Sequence, residues 1–279
     1  MVRVKVALGT FGAQDKLGGS VTSFIELAKA ADAAGIDQIV FTDHVIMGDN
    51  TERYPYGPFP VLPEYPWFEP LTLLAKTIAT LDQLANGRVD LGIGVGWQKE
   101  EYQSQGLDFG KRFQYFDDQL LALQQLWQQA PVQIDTPTVK MEKLYSLPYP
   151  KQQHASCMPV PLWFGLAPLA KNCERIANFG AGWIPISWDY DYIKSGADKI
   201  RDAMLKAGRD PETLQIRAHA VIDHSLPPKA ALQHALDSVE TLVKAGATII
   251  EFETAPFIED DDVEFLLEKV SALSANLKA

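Results

Sequence analysis

Two short runs hold residue types from which chemistry is made. Thr42-Asp43-His44 closes the apolar stretch DQIVFTDH at 37–44. Histidine is the side chain best able to give or take a proton near neutral pH, and here an acidic residue stands directly before it. The second run is RVDLGIGVGWQKEEY, Arg88 to Tyr102, in which Gly92, Gly94 and Gly96 alternate ahead of Trp97. A dinucleotide loop needs G-x-G-x-x-G between a strand and a helix, with an acidic residue about 20 positions later. The spacing here is G-x-G-x-G, after the second visible helix, so a Rossmann reading is disfavoured. Two readings remain for the glycines. They permit close packing and unusual backbone angles at a barrel rim, or they use that same geometry to build a site at the carboxyl end of a barrel strand. His44 likewise stays open between a catalytic and a structural role.

Two further stretches bear on ligands. YPYGPFPVLPEYPWFEP (54–70) interleaves six prolines with six aromatics. A polyproline ligand is one reading. The interleaving favours a stiffened loop folded over a barrel mouth, where Tyr65, Trp67 and Phe68 would offer a flat apolar surface to a substrate. FGLAPLAKN (164–172) follows a strand and leads into a helix. Gly165 allows close approach of a phosphate, but Pro168 removes a donor and no hydroxyl precedes the helix. A phosphate turn and an ordinary strand-to-helix turn are equally supported. His154, His219, His224 and His234 show no metal spacing, Cys157 and Cys173 form no ligand motif, and no metal is expected. Arg217 and His219 occupy alternate positions of one strand and so share a face. Glu100 and Glu101 read as a helix start.

The elements that must position these residues alternate along the whole chain. Short β-branched runs read as strands at 2–9, 37–44, 88–96, 160–166, 182–187, 214–222 and 247–254. Between them, helical spacing predicts helices over 20–35, 70–87, 111–127, 168–179, about 190–208 and 229–246, with a last one opening on Glu259 to Asp262. Phe113, Phe116, Leu120, Leu123 and Trp127 mark the strongest apolar stripe. Strands alternating with helices imply βαβ units and a parallel sheet. With no composition break, the pattern predicts one domain over 1–279: an α/β, TIM-barrel-like (β/α) barrel, incomplete at seven strands, with 45–69 inserted over its mouth. The stretches 45–69 and 130–158 are rich in proline, and neither reads as a convincing eighth strand.

Composition narrows the partners. At 279 residues the chain has a net charge of −11 and no basic run, which argues against nucleic acid or an anionic membrane. No segment approaches the roughly 18 apolar residues of a membrane span. Charges punctuate the opening MVRVKVALGTFG where a signal peptide needs a continuous apolar stretch, and a cytoplasmic location is expected.

The run RVDLGIGVGWQKEEYQSQGLDFGKRFQYFDDQLLALQQLW resembles the signature of the luciferase-like flavin oxidoreductases and monooxygenases. The shared features are Gly87-Arg88, the Gly94-Val95-Gly96-Trp97 edge, Glu101, Gly106, Arg112, Asp118 and Leu126-Trp127. ADAAGIDQIVFTDHV and ANFGAGWIPIS are similar to two other strands of that family, and the Tyr-Pro-Tyr segment is similar to its coenzyme F-420 branch. Against that pattern the chain lacks one α/β unit before the helix at 70–87. The resemblance implies a dimeric TIM barrel with FMN or coenzyme F-420 at its mouth. It implies His44 as acid/base with Asp43 beside it. Gly94, Gly96 and Trp97 would line the flavin pocket, and Gly165, Leu166 and Ala167 would grip the flavin phosphate. The function it implies is a flavin-dependent oxidoreductase or monooxygenase of a small organic substrate. The alternative is a non-catalytic, shortened member that binds a flavin or another flat ligand, or acts as a dimeric binding protein.

Overall fold

Runs of β-branched and aliphatic residues form strands here, and Val6–Leu8, Leu162–Phe164 and Ile249–Phe252 are buried at every position, as in a sheet covered on both faces. The computed structural model describes residues 4–16, 21–41, 74–154, 158–258 and 263–278. In chain order the elements begin β1 (Lys5–Gly9), α1 (Ala13–Lys16), α2 (Val21–Ala33), β2 (Gln38–Val40), α3 (Leu74–Leu84), β3 (Leu91–Ile93) and α4 (Lys99–Ser104). Next come α5 (Arg112–Gln128), β4 (Val132–Asp135), β5 (Lys140–Leu144), β6 (Leu162–Phe164), α6 (Ala170–Phe179), β7 (Gly182–Trp183) and α7 (Tyr190–Lys206). The chain closes with β8 (Gln215–His219), α8 (Pro228–Asp237), α9 (Val239–Lys244), β9 (Ile249–Glu253) and α10 (Glu264–Lys278). Seven of these strands run parallel among the described residues, at the seven places where the sequence predicts them. No helix among the described residues is long and apolar enough to cross a membrane. By its internal contacts the chain falls into two compact units.

The first unit comprises residues 1–42, 185–198 and 215–279. Its strands lie in the order β2-β1-β9-β8. Register pairs Gly9 with Val40 on one side and with Glu253 on the other, and His219 with Glu251. Val6, Ala7, Leu8, Ile249, Ile250 and Phe252 are fully buried in this sheet. Helix α2 buries Phe24, Leu27 and Ala31, which recur at helical spacing. Its carboxyl-end carbonyls, left without intrahelical partners, accept from α10: Ser271 Oγ donates to Ala34 O at 2.6 Å and Ser274 Oγ to Gly35 O at 3.3 Å. The helix expected over 229–246 is in fact two, broken at Ser238. The Ser238 hydroxyl donates to Ala235 O at 2.7 Å and accepts the Val221 N–H at 3.0 Å, so it competes with the helical pattern.

Residues 43–184 and 199–214 make the second unit. Its parallel strands lie in the order β7-β6-β3, pairing Gly92 with Trp163 and Phe164 with Trp183. The Trp163 ring crowds the neighbouring strand so closely that a Cβ on Gly182 would lie only 2.3 Å from its Cε3. Helix α5 buries Phe116, Leu120, Leu123 and Trp127, with the Phe116 ring edge-on to Phe164 and Trp127 Nε1 donating to Ala75 O at 2.8 Å. The stretch 130–158, which did not read as a strand, contains the antiparallel hairpin β4–β5, outside the parallel set. Val132 and Ile134 are buried beside Ala122, and Thr138 donates to Asp118 Oδ2 through both its N–H and its hydroxyl.

One buried carboxylate ties this unit together. Asp82 on α3 is fully buried and accepts from the Gln152 N–H at 2.9 Å, Gln152 Nε2 at 2.8 Å and the Val89 N–H at 3.3 Å. Gln152 Nε2 also reaches Val89 O at 2.6 Å. Removing that amide leaves a buried charge short of donors, at a cost of about 1–3 kcal/mol. Gln152→Ala is therefore expected to lower the urea midpoint of unfolding by a corresponding amount, and an unchanged midpoint would contradict this role.

Candidate functional site

In the second unit the carboxyl ends of β3 and β6 form a shelf of bare backbone. Gly92, Gly94 and Gly96 are exposed at alternate positions while Leu91 is buried. The Gly165 N–H donates to Ile93 O at 2.9 Å, which continues the pairing past the end of β6. A Cβ added at Gly94 would meet the Gly165 carbonyl oxygen at 3.4 Å, so the two chain segments touch through backbone. Gly96 adopts φ +65°, a left-handed conformation that turns the chain three residues past β3 and that glycine adopts without strain. Tyr102 on α4 holds this bend, its hydroxyl donating to Val95 O at 2.7 Å. Burial pushes the Tyr102 phenol up, the Arg112 charge opposes that, and the Glu101 charge adds to it. Trp97 is half-buried at the edge of the shelf.

After β6 the turn is occupied from within. Trp183 Nε1 donates to Leu166 O and Asn172 Nδ2 to Ala167 O, each at 2.9 Å. Leu166 is buried, and its carbonyl is already taken by Trp183. Tested against a flavin, the shelf fits: exposed strand ends without side chains accept a flat ring face, and the adjoining aromatic suits its edge.

The first unit carries a second cluster at the ends of β1, β8 and β9. Partner residues in paired parallel strands share a face, which puts Gly9, Glu251, Glu253, Arg217 and His219 on one side of the sheet. Arg217 Nε lies 2.9 Å from Glu251 Oε2 as an ion pair whose carboxylate is almost wholly buried. His219 Nδ1 stands 3.7 Å from Glu253 Oε1 and 4.0 Å from Glu251 Oε2. Burial raises the Glu253 carboxyl well above the usual carboxylate range, and the Glu251 charge raises it further. The Phe11 N–H and Arg217 act in the opposite direction. These carboxylates fit because β1 ends in glycine: a Cβ on Gly9 would lie 2.4 Å from Glu253 Oε2 and 2.7 Å from Glu251 Oε1.

Of the residues singled out in the sequence, Gly94, Gly96, Trp97, Gly165, Leu166 and Ala167 fall within the described residues and all belong to the second unit. The structure brings Gly165 against the residue before Gly94, its N–H donating to Ile93 O at 2.9 Å. Asp43, His44, Tyr65, Trp67 and Phe68 lie outside the described residues, as does the whole of 45–69. Glu100 and Glu101 begin α4, as their spacing suggested. Arg217 and His219 do share a face and point at the two glutamates. Sequence reasoning missed those glutamates and Gly9. The available signal was the period-two pair of acids in ATIIEFET, an otherwise apolar strand. Because Glu251 is held by Arg217, Gly9→Ala should cost about 1–3 kcal/mol by overpacking, read as a lower denaturation midpoint. A variant as stable as the parent would show that the carboxylates swing away freely.

Residues 64–258, more than half of the chain, match the family model described as luciferase-like monooxygenase. An uncharacterised protein of Mycobacterium tuberculosis is 37% identical over 142 residues, which is 51% of this chain and 48% of that protein. The chain thus spans about half the length of the curated relatives it matches. The monooxygenase RslO1 from Streptomyces bottropensis superposes with a TM-score of 0.70 at 17% identity, covering 97% of this chain and 96% of that one. A coenzyme F-420-dependent secondary alcohol dehydrogenase, solved with an F-420–acetone adduct, gives 0.69 at 15% identity, covering 99% and 100%. At these identities the two structures speak for the fold, which is α/β and TIM-barrel-like with seven parallel strands among the described residues. The family match rests on the sequence itself, and by it the chain belongs to the luciferase-like monooxygenase family.

Proposed function

We propose that the chain is a flavin-dependent oxidoreductase or monooxygenase that binds FMN or coenzyme F-420 at the carboxyl ends of β3 and β6 and acts on a small organic substrate. The observation that carries this reading is the side-chain-free backbone of Gly94 and Gly165 where the turn after β6 meets the end of β3, within the segment matched by the family model. Carboxyl ends of barrel strands are where such folds build their sites. When bound, the flavin or deazaflavin supplies the hydride or oxygen chemistry, while the chain binds it, orients it and excludes water. Gly94, Gly96 and Trp97 would face the ring, and the backbone of Gly165, Leu166 and Ala167 its phosphate-bearing end. In this reading His44 gives or takes the proton, Asp43 contacts the cofactor, and Tyr65, Trp67 and Phe68 contact the substrate. A homodimer in the cytoplasm is the assembly and location proposed with it.

A second reading, a non-catalytic member that holds a flat ligand, draws support from the turn after β6. Pro168 lacks an N–H, and no hydroxyl side chain stands between Gly165 and Leu169. Titrating the purified chain with FMN and with reduced coenzyme F-420, followed by absorbance and fluorescence, separates the outcomes. Saturable binding of one of them is expected, and binding of neither would sink the oxidoreductase reading. Gly94 is exposed and has room for a side chain, so Gly94→Val should fold normally yet weaken that binding at least about tenfold, or about 1.4 kcal/mol. Equal affinity would move the cofactor elsewhere. If turnover is found, His44→Ala should abolish it with binding retained, and undiminished turnover would remove His44 from the chemistry.

A further inference from the structure

The four polar side chains on the face shared by β8 and β9 do not balance in charge. Glu251 and Glu253 carry two negative charges when ionised, and Arg217 supplies one positive charge, 2.9 Å from Glu251. The Glu251 side chain is 1% exposed and the Glu253 side chain 18%. One ligand oxygen of each glutamate and a ring nitrogen of His219 all lie within 4.8 Å of one another. Two carboxylates so close, and screened from water, cannot both ionise without a large cost, and a shared proton removes it.

Among the described residues, no other charge on the neighbouring strands offsets this. On β1, Gly9 contributes no side chain, and Lys5 lies back along the strand, paired in register with Ile249. On β2, Gln38 and Val40 occupy the same face and carry no charge. Beyond β1, the Phe11 backbone N–H favours the ionised form of Glu253, and Arg217 does so from across the pair, but burial and the Glu251 charge outweigh both. A metal ion in the same place would meet Arg217, which already supplies a cation at Glu251.

We propose that Glu251 and Glu253 form a proton-holding pair at the carboxyl ends of the strands, with Glu253 carrying the proton and His219 as its most accessible neighbour. The His219 side chain is 29% exposed, against 18% for Glu253 and 12% for Arg217. Its ring nitrogen at 3.7 Å from Glu253 Oε1 is one water molecule or a small rotation from a hydrogen bond. The pair is thus a stored acid. When Glu253 gives up its proton, its O–H bond breaks and the proton passes to the neutral imidazole of His219. From there it goes to a basic atom of a ligand, and a proton from hydronium or a buffer acid in the solvent reloads the carboxylate. The store exists whether or not a flavin binds, and it does not rest on the proposed oxidoreductase function.

The test needs no cofactor. The full chain, labelled with 13C at its glutamate carboxyls, is titrated by NMR. One glutamate should titrate well above the ordinary value of about 4.3. That resonance should vanish in Glu253→Gln and move towards the ordinary range in Glu251→Gln. Because the folded protein holds this proton more tightly than the unfolded chain, stability should fall as pH rises from about 4.3 towards the raised value. Glu253→Gln should flatten that fall. Excess Zn2+ should leave the wild-type titration in place. If every glutamate of the wild type titrates in the ordinary range, the proposal is overturned without need of any variant. It is equally overturned if the raised resonance survives Glu253→Gln, or if stoichiometric Zn2+ abolishes it, which would make the trio a metal centre. Failure of FMN and coenzyme F-420 to bind would remove the proposed oxidoreductase and leave this result standing.

Discussion

Where parallel strands end together, the side chains on one face arrive at the same level and compete for room. In each unit the chain resolves that competition by omitting side chains. Gly9 gives up the volume that the Glu251 and Glu253 carboxylates occupy, and its Cβ would stand within 3 Å of both. Gly94 and Gly165 leave the end of β3 and the turn after β6 without side chains, although each has ordinary room for a Cβ. The first omission admits charge into a buried face; the second leaves a bare surface at an exposed one. Everything proposed about chemistry depends on these absences, because neither the acid pair nor a flat ligand fits against ordinary side chains.

The residues that make the family signature serve mostly to hold that surface in place. Arg112 packs its guanidinium over the Phe109 and Phe113 rings and donates to Phe109 O. Asp118 anchors the β4–β5 hairpin through Thr138. Gly106 takes a left-handed turn after α4, with φ +70°. Tyr102, from the same helix, fixes the bend at Val95 and Gly96. The run thus reads as a structural frame for the end of β3.

How much of this is legible in the sequence follows from the range of each interaction. The seven parallel strands are short β-branched runs between helices of clear period, and local pattern is enough to find them. The strand-end glycines are visible because their alternation is local too. The hairpin at 132–144 is hidden because Pro131 stands just before it, Pro137 in its turn, and its anchor, Asp118, belongs to the preceding helix. The break at Ser238 is hidden because an unbroken apolar stripe passes over a hydroxyl that bonds back to Ala235 and forward from Val221. The acid pair is hidden for the strongest reason. Its meaning comes from Gly9, Arg217 and His219 on neighbouring strands, and Gly9 stands at the far end of the chain. In the sequence alone, Glu251 and Glu253 are two polar interruptions in a buried strand.

The central claim is that the bare backbone where β3 meets the turn after β6 is a flavin or deazaflavin surface. A crystal structure of the full chain grown with saturating FMN, and another with coenzyme F-420, tests this most directly. The account predicts that in one of them the tricyclic ring lies against Gly94 and Gly96, beside Trp97, with the phosphate-bearing tail towards Gly165 and Ala167. A ring bound away from these residues, or both crystals empty under conditions where related proteins load fully, would contradict it.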